Sequence, residues 1–146
     1  MVMIRLIYVS TVNEQFNLSC VDDILSSAQR RNTENNVSGV LYFNCKFFMQ
    51  YLEGESRDVE ETYQRIVNDK RHCEILLLDK ASIEERLFNG WSMAYVLESE
   101  LIKPLYLEFM DASDFDPYKL SPERASQMID GFRKQLPTAY LREFRL

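Results

Sequence analysis

The chain has 146 residues, 46% of them hydrophobic, enough for one compact domain with a full core and too apolar for a disordered segment. Its net charge is -6 with no basic block, which disfavours direct binding to a nucleic-acid backbone. No apolar run approaches the ~20 residues of a membrane span, and Cys20, Cys45 and Cys73 lack metal spacing and read as mostly buried thiols of a reducing cytoplasm.

Residues 3–10 read as a strand rich in Ile, Leu, Tyr and Val, with Ile4, Leu6, Tyr8 and Ser10 on one face by period-2 alternation. Arg5 interrupts the apolar residues 1–9 and no cleavage pattern follows, which argues for a strand over a signal peptide. Ser19 can cap a helix carrying Val21, Ile24, Leu25 and Ala28 to about Asn32, and Asn35-Asn36 end it. Residues 38–44 and 47–53 read as a hairpin, with Phe48, Gln50 and Leu52 on one face and Gly54 breaking the second strand. Ser56 can cap a second helix with Val59, Tyr63, Ile66 and Val67 as its apolar positions, and Asp69-Lys70-Arg71-His72 follow at its end. The run 74–79 has the continuous apolar character of a buried central strand, and 91–97 alternates, with Trp91, Met93 and Tyr95 on one side.

The order βαββαβ plus one strand predicts an α+β, ferredoxin-like fold: a sheet with two helices on one face and a groove between them that suits a flat aromatic ligand. Composition shifts after about residue 98, so 1–97 reads as the domain and 98–146 as a C-terminal helical extension. Ser121-Pro122 starts its clearest helix, whose stripe Ala125, Met128, Ile129, Phe132 and Leu136 must bury against its own domain or another subunit. A homo-oligomer is therefore an expectation, and the free face of the sheet is the expected seat of the extension.

The candidate site rests on two polar side chains in apolar strands. Tyr8 and Gln50 need hydrogen-bond partners if buried, either each other or a ligand. An amide donates at one end and accepts at the other, so it can switch partners. Gln50 could instead sit at a sheet edge in water, and tyrosines are common in strands. Asn32 has an alternative as an ordinary helix-terminal residue, and 69–72 as a polar helix end. The single histidine has no metal-ligand company.

Tyr8 and Gln50, taken with Asn32, the run 69–72 and the run Trp91-Ser92-Met93, make residues 1–97 resemble a BLUF domain, a blue-light sensor using FAD. The resemblance implies non-covalent flavin held between Ile24 and Ile66, with Asn32 at the pyrimidine edge. It implies Asp69, Arg71 and His72 near the polar edge, and Arg65 at the ring or phosphates. Arg31 departs from the smaller or aromatic residue common there, and either reaches the ligand or lies in solvent. In the family, light drives an electron and a proton from the tyrosine, here Tyr8, and the glutamine, here Gln50, rearranges, giving a reversible red shift. Trp91 or Met93 would tune that relay and Ser10 add a hydrogen bond. The resemblance implies no enzyme activity, and signalling through a separate partner protein. The rival readings are an acylphosphatase-like hydrolase, for which residues 11–18 lack glycine and arginine, and a flavin-free or redox interaction module.

Overall fold

The computed structural model describes residues 2–13, 19–43, 47–88, 91–97, 116–135 and 141–145; the side chains of 19–25, 29, 43, 91–97, 132, 134–135 and 141–145 lie outside the described residues. The elements run β1 (Met3–Val12), α1 (Ser19–Glu34), β2 (Ser38–Phe43), β3 (Phe47–Glu55), α2 (Ser56–Val67), β4 (His72–Ile83) and β5 (Trp91–Leu97). A 3-10 turn at Pro117–Lys119, helix α3 (Pro122–Gln135) and β6 (Leu141–Arg145) follow. The six strands form one sheet in the order β4-β1-β3-β2-β5-β6. The first four have the expected ferredoxin-like order, and β5 joins parallel to β2.

Period-2 alternation sorts the sheet's side chains onto two covered faces. Ile4, Leu6, Tyr8, Leu41, Phe48 and Leu52 form one core with Val59 of α2, and Ala28 of α1 packs against it. Ile7, Val9, Val40, Tyr42, Met49 and Tyr51 form the other, covered by Ala125, Met128 and Ile129 of α3. Ala125, Met128 and Ile129 of the expected stripe thus bury against the free face of the sheet, while the Phe132 side chain and Leu136 lie outside the described residues. Ser121 caps that helix as expected, its Oγ accepting from Arg124 N at 3.1 Å. Ile129 is wholly buried, so Ile129→Ala is expected to cost about 2–5 kcal/mol. Urea unfolding should show a lower midpoint with an unchanged slope; an unchanged midpoint would mean that α3 contributes nothing to the core.

Several sequence expectations need correction. The extension is not helical throughout, because Leu141–Arg145 adds β6 antiparallel to β5. Gly54 does not end β3, which runs on to Glu55. Ser56 is the first residue of α2, not its cap; the capping position is Glu55, whose side chain makes no cap hydrogen bond, and the Ser56 backbone N–H is taken by Val2 O at 2.9 Å. Val67 lies 40% exposed, outside the buried side of that helix. Cys73 is exposed and free, while the side chains of Cys20 and Cys45 lie outside the described residues.

The largest correction concerns β4. It is an edge strand and not a central one, and Leu76 and Leu77 are 43% and 40% exposed. Its register against β1 shifts between Ile7 and Tyr8 and again between Val9 and Thr11, and Glu74 has a positive φ of 53°. Leu77 and Leu76 pair consecutively with Tyr8 and Val9 between the two bulges, so they point to opposite faces, and at the sheet's edge both reach the surface.

Candidate functional site

Tyr8 and Gln50 are Cα partners in the antiparallel pairing of β1 with β3. Their side chains point to the face covered by α1 and α2, both nearly excluded from solvent. The Tyr8 hydroxyl donates to Gln50 Oε1 at 2.5 Å. Burial pushes the Tyr8 phenol far above its ordinary pKa, and the charges of Asp69 and Tyr63 add to that. The phenol therefore keeps its proton at every ordinary pH. The ring of Tyr63 lies tilted against it, with centroids 5.7 Å apart.

This pair forms one wall of a cavity enclosed by the sheet, α1 and α2, with about 660 Å³ of atom-free space, part of it open to solvent. Ala28, Leu41, Phe48 and Ile66 supply apolar walls, while Asn32, Thr62, Asp69 and Arg71 bring polar groups. Asn32 is buried in the last turn of α1, where its carbonyl accepts from Val37 N at 2.8 Å. The turn beyond it uses Asn36 at a positive φ of 56°, as the Asn35-Asn36 signal suggested. Arg31 and Arg65 are exposed and also line the cavity; Arg65 donates from Nη2 to Thr62 Oγ1 at 3.3 Å.

Asp69, Lys70 and Arg71 form a turn, and His72 opens β4. The expected polar helix end is therefore a separate corner: α2 stops at Val67 and Asp69 N bonds back to Ile66 O at 3.0 Å. Asp69 clamps Arg71, accepting its Nε on Oδ1 at 3.0 Å, its Nη2 on Oδ2 at 2.5 Å and its backbone N on Oδ1 at 2.9 Å. Partial burial opposes ionisation of Asp69, but the Arg71 hydrogen bonds and charge outweigh it and hold the carboxyl below the usual range.

His72 lines the cavity with both ring nitrogens engaged inside the protein. Nε2 lies 2.7 Å from Ile66 O and Nδ1 lies 2.8 Å from Ser10 Oγ. A carbonyl only accepts, so Nε2 carries the hydrogen; in the neutral ring Nδ1 then accepts from the Ser10 hydroxyl. Ser10 thus bonds to His72, whereas the expectation joined it to the Tyr8–Gln50 pair.

The structure brings together Tyr8, Gln50, Arg31, Asn32, Arg65, Ile66, Asp69, Arg71 and His72 around one cavity, with Ser10 behind His72. The side chains of Ile24, Trp91 and Met93 lie outside the described residues, although β5, which carries Trp91 and Met93, is seated beside β2. Thr62 escaped the sequence reading: it is buried, lines the cavity and donates to Asp58 O at 2.8 Å. Its position between Val59 and Ile66 at helical spacing was the available signal. Among the described residues, no group of three or more His, Cys, Asp or Glu side chains could hold a metal ion, and no helix is long and apolar enough to cross a membrane.

Comparison with known proteins bears on the family and the fold. A family model described as sensors of blue-light using FAD matches residues 3–94. The structure of BlsA in its photo-activated state superposes with a TM-score of 0.85 at 33% identity, covering 93% of this chain and 98% of that one. The blue light- and temperature-regulated antirepressor BluF of Escherichia coli (strain K12) is 37% identical over 73 residues, which are 50% of this chain and 18% of that protein. The photoactivated adenylate cyclase subunit alpha of Euglena gracilis is 32% identical over 91 residues, or 61% of this chain and 9% of that protein. The match thus spans less than a fifth of either curated relative. The paired Tyr8 and Gln50, the cavity beside them and the family match over 3–94 lead to one conclusion: the chain belongs to the BLUF family of blue-light sensors that use FAD.

Proposed function

We propose that Tyr8 and Gln50 are the moving parts of this light sensor and that its output is a changed contact with a separate protein. The observation that carries the reading is the 2.5 Å hydrogen bond from the Tyr8 hydroxyl to Gln50 Oε1 in the buried wall of the cavity. FAD, when bound, supplies the absorption of blue light and an excited ring able to take an electron. Tyr8 would pass an electron and, by way of Gln50, its phenolic proton to that ring and later regain both, so no substrate is consumed. While the phenol lacks that proton, Gln50 Oε1 loses its donor, and the amide can turn or tautomerise into a second arrangement. Low dielectric around the pair makes each arrangement costly to leave half-satisfied, which gives the switch two states.

The cavity fits a flavin by its chemistry: apolar residues for the ring faces and amide and guanidinium groups for the ring edge. Ile24 and Ile66 sandwich the ring, Asn32 reads its pyrimidine edge, and Arg71, set by Asp69, serves the polar edge. His72 steadies the β1–α2 corner through Ser10 and Ile66 O. Arg31 and Arg65 stand at the rim for the phosphates, and Trp91 or Met93 tunes the pair from β5. The protein acts without enzymatic chemistry, in the cytoplasm and as a homo-oligomer. The description of the E. coli relative as an antirepressor supports a regulatory partner.

Gln50→Ala tests the reading. Flavin should still bind, and the reversible red shift after blue light should disappear from the difference spectrum. Persistence of the usual shifted spectrum would remove Gln50 from the switch.

A further inference from the structure

Glu53 carries a buried carboxylate that takes no part in the cavity. It lies on β3 beyond Gln50, on the opposite face of the sheet and wholly buried. Four donors converge on it. Ser38 Oγ and Phe88 N donate to Oε2 at 2.7 and 2.8 Å. Tyr51 OH and Leu87 N donate to Oε1 at 3.0 and 2.7 Å. Arg86 closes the cluster from outside, with Nη1 donating to Ser38 Oγ at 2.9 Å and Nη2 to Asn36 O at 2.7 Å. Gly54 leaves room for it: a Cβ there would stand 3.0 Å from Asn36 O and 3.4 Å from Arg86 Nη2.

A carboxylate survives burial only with its lone pairs filled, and here the donors come from three separate stretches of chain. Asn36 and Ser38 follow directly on Asn32, whose carbonyl holds Val37 N. Tyr51 and Glu53 follow Gln50 on β3. Leu87 and Phe88 lead into β5, which carries Trp91 and Met93, and the Phe88 ring packs on Tyr51 with centroids 5.6 Å apart. One carboxylate therefore ties the start of β2 and the 86–88 stretch, which precedes β5 in the chain, to the strand that bears Gln50.

We propose that Glu53 is a positioning residue of the light switch: it pins the 86–88 connection and the start of β2 to β3, holds β5 in alignment with Gln50, and so sets how long the light-driven arrangement lasts. The proposal rests on the Tyr8–Gln50 reading above. Glu53→Gln probes it with little change of shape. The two hydroxyl donors can turn to suit an amide, but the two backbone N–H groups cannot. The amide NH₂ must then face one of them, and either Leu87 or Phe88 loses its acceptor.

The experiment uses the full chain loaded with FAD. Glu53→Gln should keep the flavin spectrum and the size of the red shift, because Tyr8 and Gln50 are untouched. Thermal recovery in the dark should be about fivefold faster or more, and amide exchange at Leu87 and Phe88 should accelerate. If exchange there rises while recovery is unchanged, the clamp has loosened without consequence and the proposal is overturned. It is overturned too if neither changes. Should Glu53→Gln fail to fold, Arg86→Gln, which removes only the outer tie, decides by the same two readings. Wild-type protein without a reversible shift would overturn the Tyr8–Gln50 reading and this proposal together. A normal wild-type cycle with unaltered recovery in the variant overturns this proposal alone.

Discussion

Tyr8→Phe should bind flavin nearly as well as the wild type and show no light-induced red shift. The phenyl ring keeps the shape of the cavity wall and the contact with Tyr63, so the change in binding should stay within ~1 kcal/mol, about fivefold in Kd. What disappears is the single hydroxyl that donates to Gln50 Oε1 at 2.5 Å. Without it there is no phenolic proton to give up and nothing to release the amide from its resting arrangement. The wild-type phenol holds that proton throughout the neutral range, because burial first, then the charges of Asp69 and Tyr63, push its ionisation upward. The wild-type shift should therefore not vary with pH on account of Tyr8. The two quantities to measure are flavin affinity by titration and the absorption difference before and after blue light. A normal shift in Tyr8→Phe would remove the tyrosine from the mechanism; loss of flavin would show that the hydroxyl serves the cavity and not the switch.

Gly39→Ala should abolish the fold. A Cβ at Gly39 would lie 1.9 Å from Tyr51 O and 3.0 Å from Tyr51 C, both backbone atoms of the neighbouring strand β3. No side chain can step aside to relieve that overlap, and β3 lies between β1 and β2 in the middle of the sheet. The cost should exceed ~4 kcal/mol, against a total stability of about 5–15 kcal/mol for an ordinary domain. Insoluble protein, or a circular-dichroism melt without a cooperative transition, is the expected result. A soluble variant melting within a few degrees of wild type would show that the β2–β3 ladder can spread to admit a methyl group.

Much of the fold was legible because its signals are local. Alternation in β1 and β3 put Tyr8 and Gln50 on matching faces, and the 3.6-residue stripe of Ala125, Met128 and Ile129 announced a helix with something to cover. The direct facing of Tyr8 and Gln50 was not legible, since it depends on which residues of two distant strands pair. β4 misled because a continuous apolar run has no period, and an edge strand with two bulges looks in sequence like a central strand without any. β6 was missed because Leu141-Arg142-Glu143-Phe144-Arg145 neither alternates nor carries a β-branched residue. The Glu53 cluster lay beyond reach for a different reason: its donors stand up to 35 residues away in the chain. The bonding of His72 was not legible either: it lines the cavity, and both its ring nitrogens find partners within the protein, on β1 and at the end of α2.

The irregularity of β4 matters for how the molecule behaves in a crowded solution. An open strand carrying two neighbouring exposed leucines is a template for fibre growth by strand addition. Two bulges and a left-handed Glu74 deform that edge, and Lys80, paired with Glu60, puts charge on it, so a second chain meets a kinked ribbon that it cannot zip onto. The deformed stretch is the one that flanks Tyr8 and Ser10, so the same kinks shape the wall of the light-sensing cavity and guard against polymerisation. An engineer who regularised β4 to gain thermal stability would disturb the sensor and license aggregation in a single stroke.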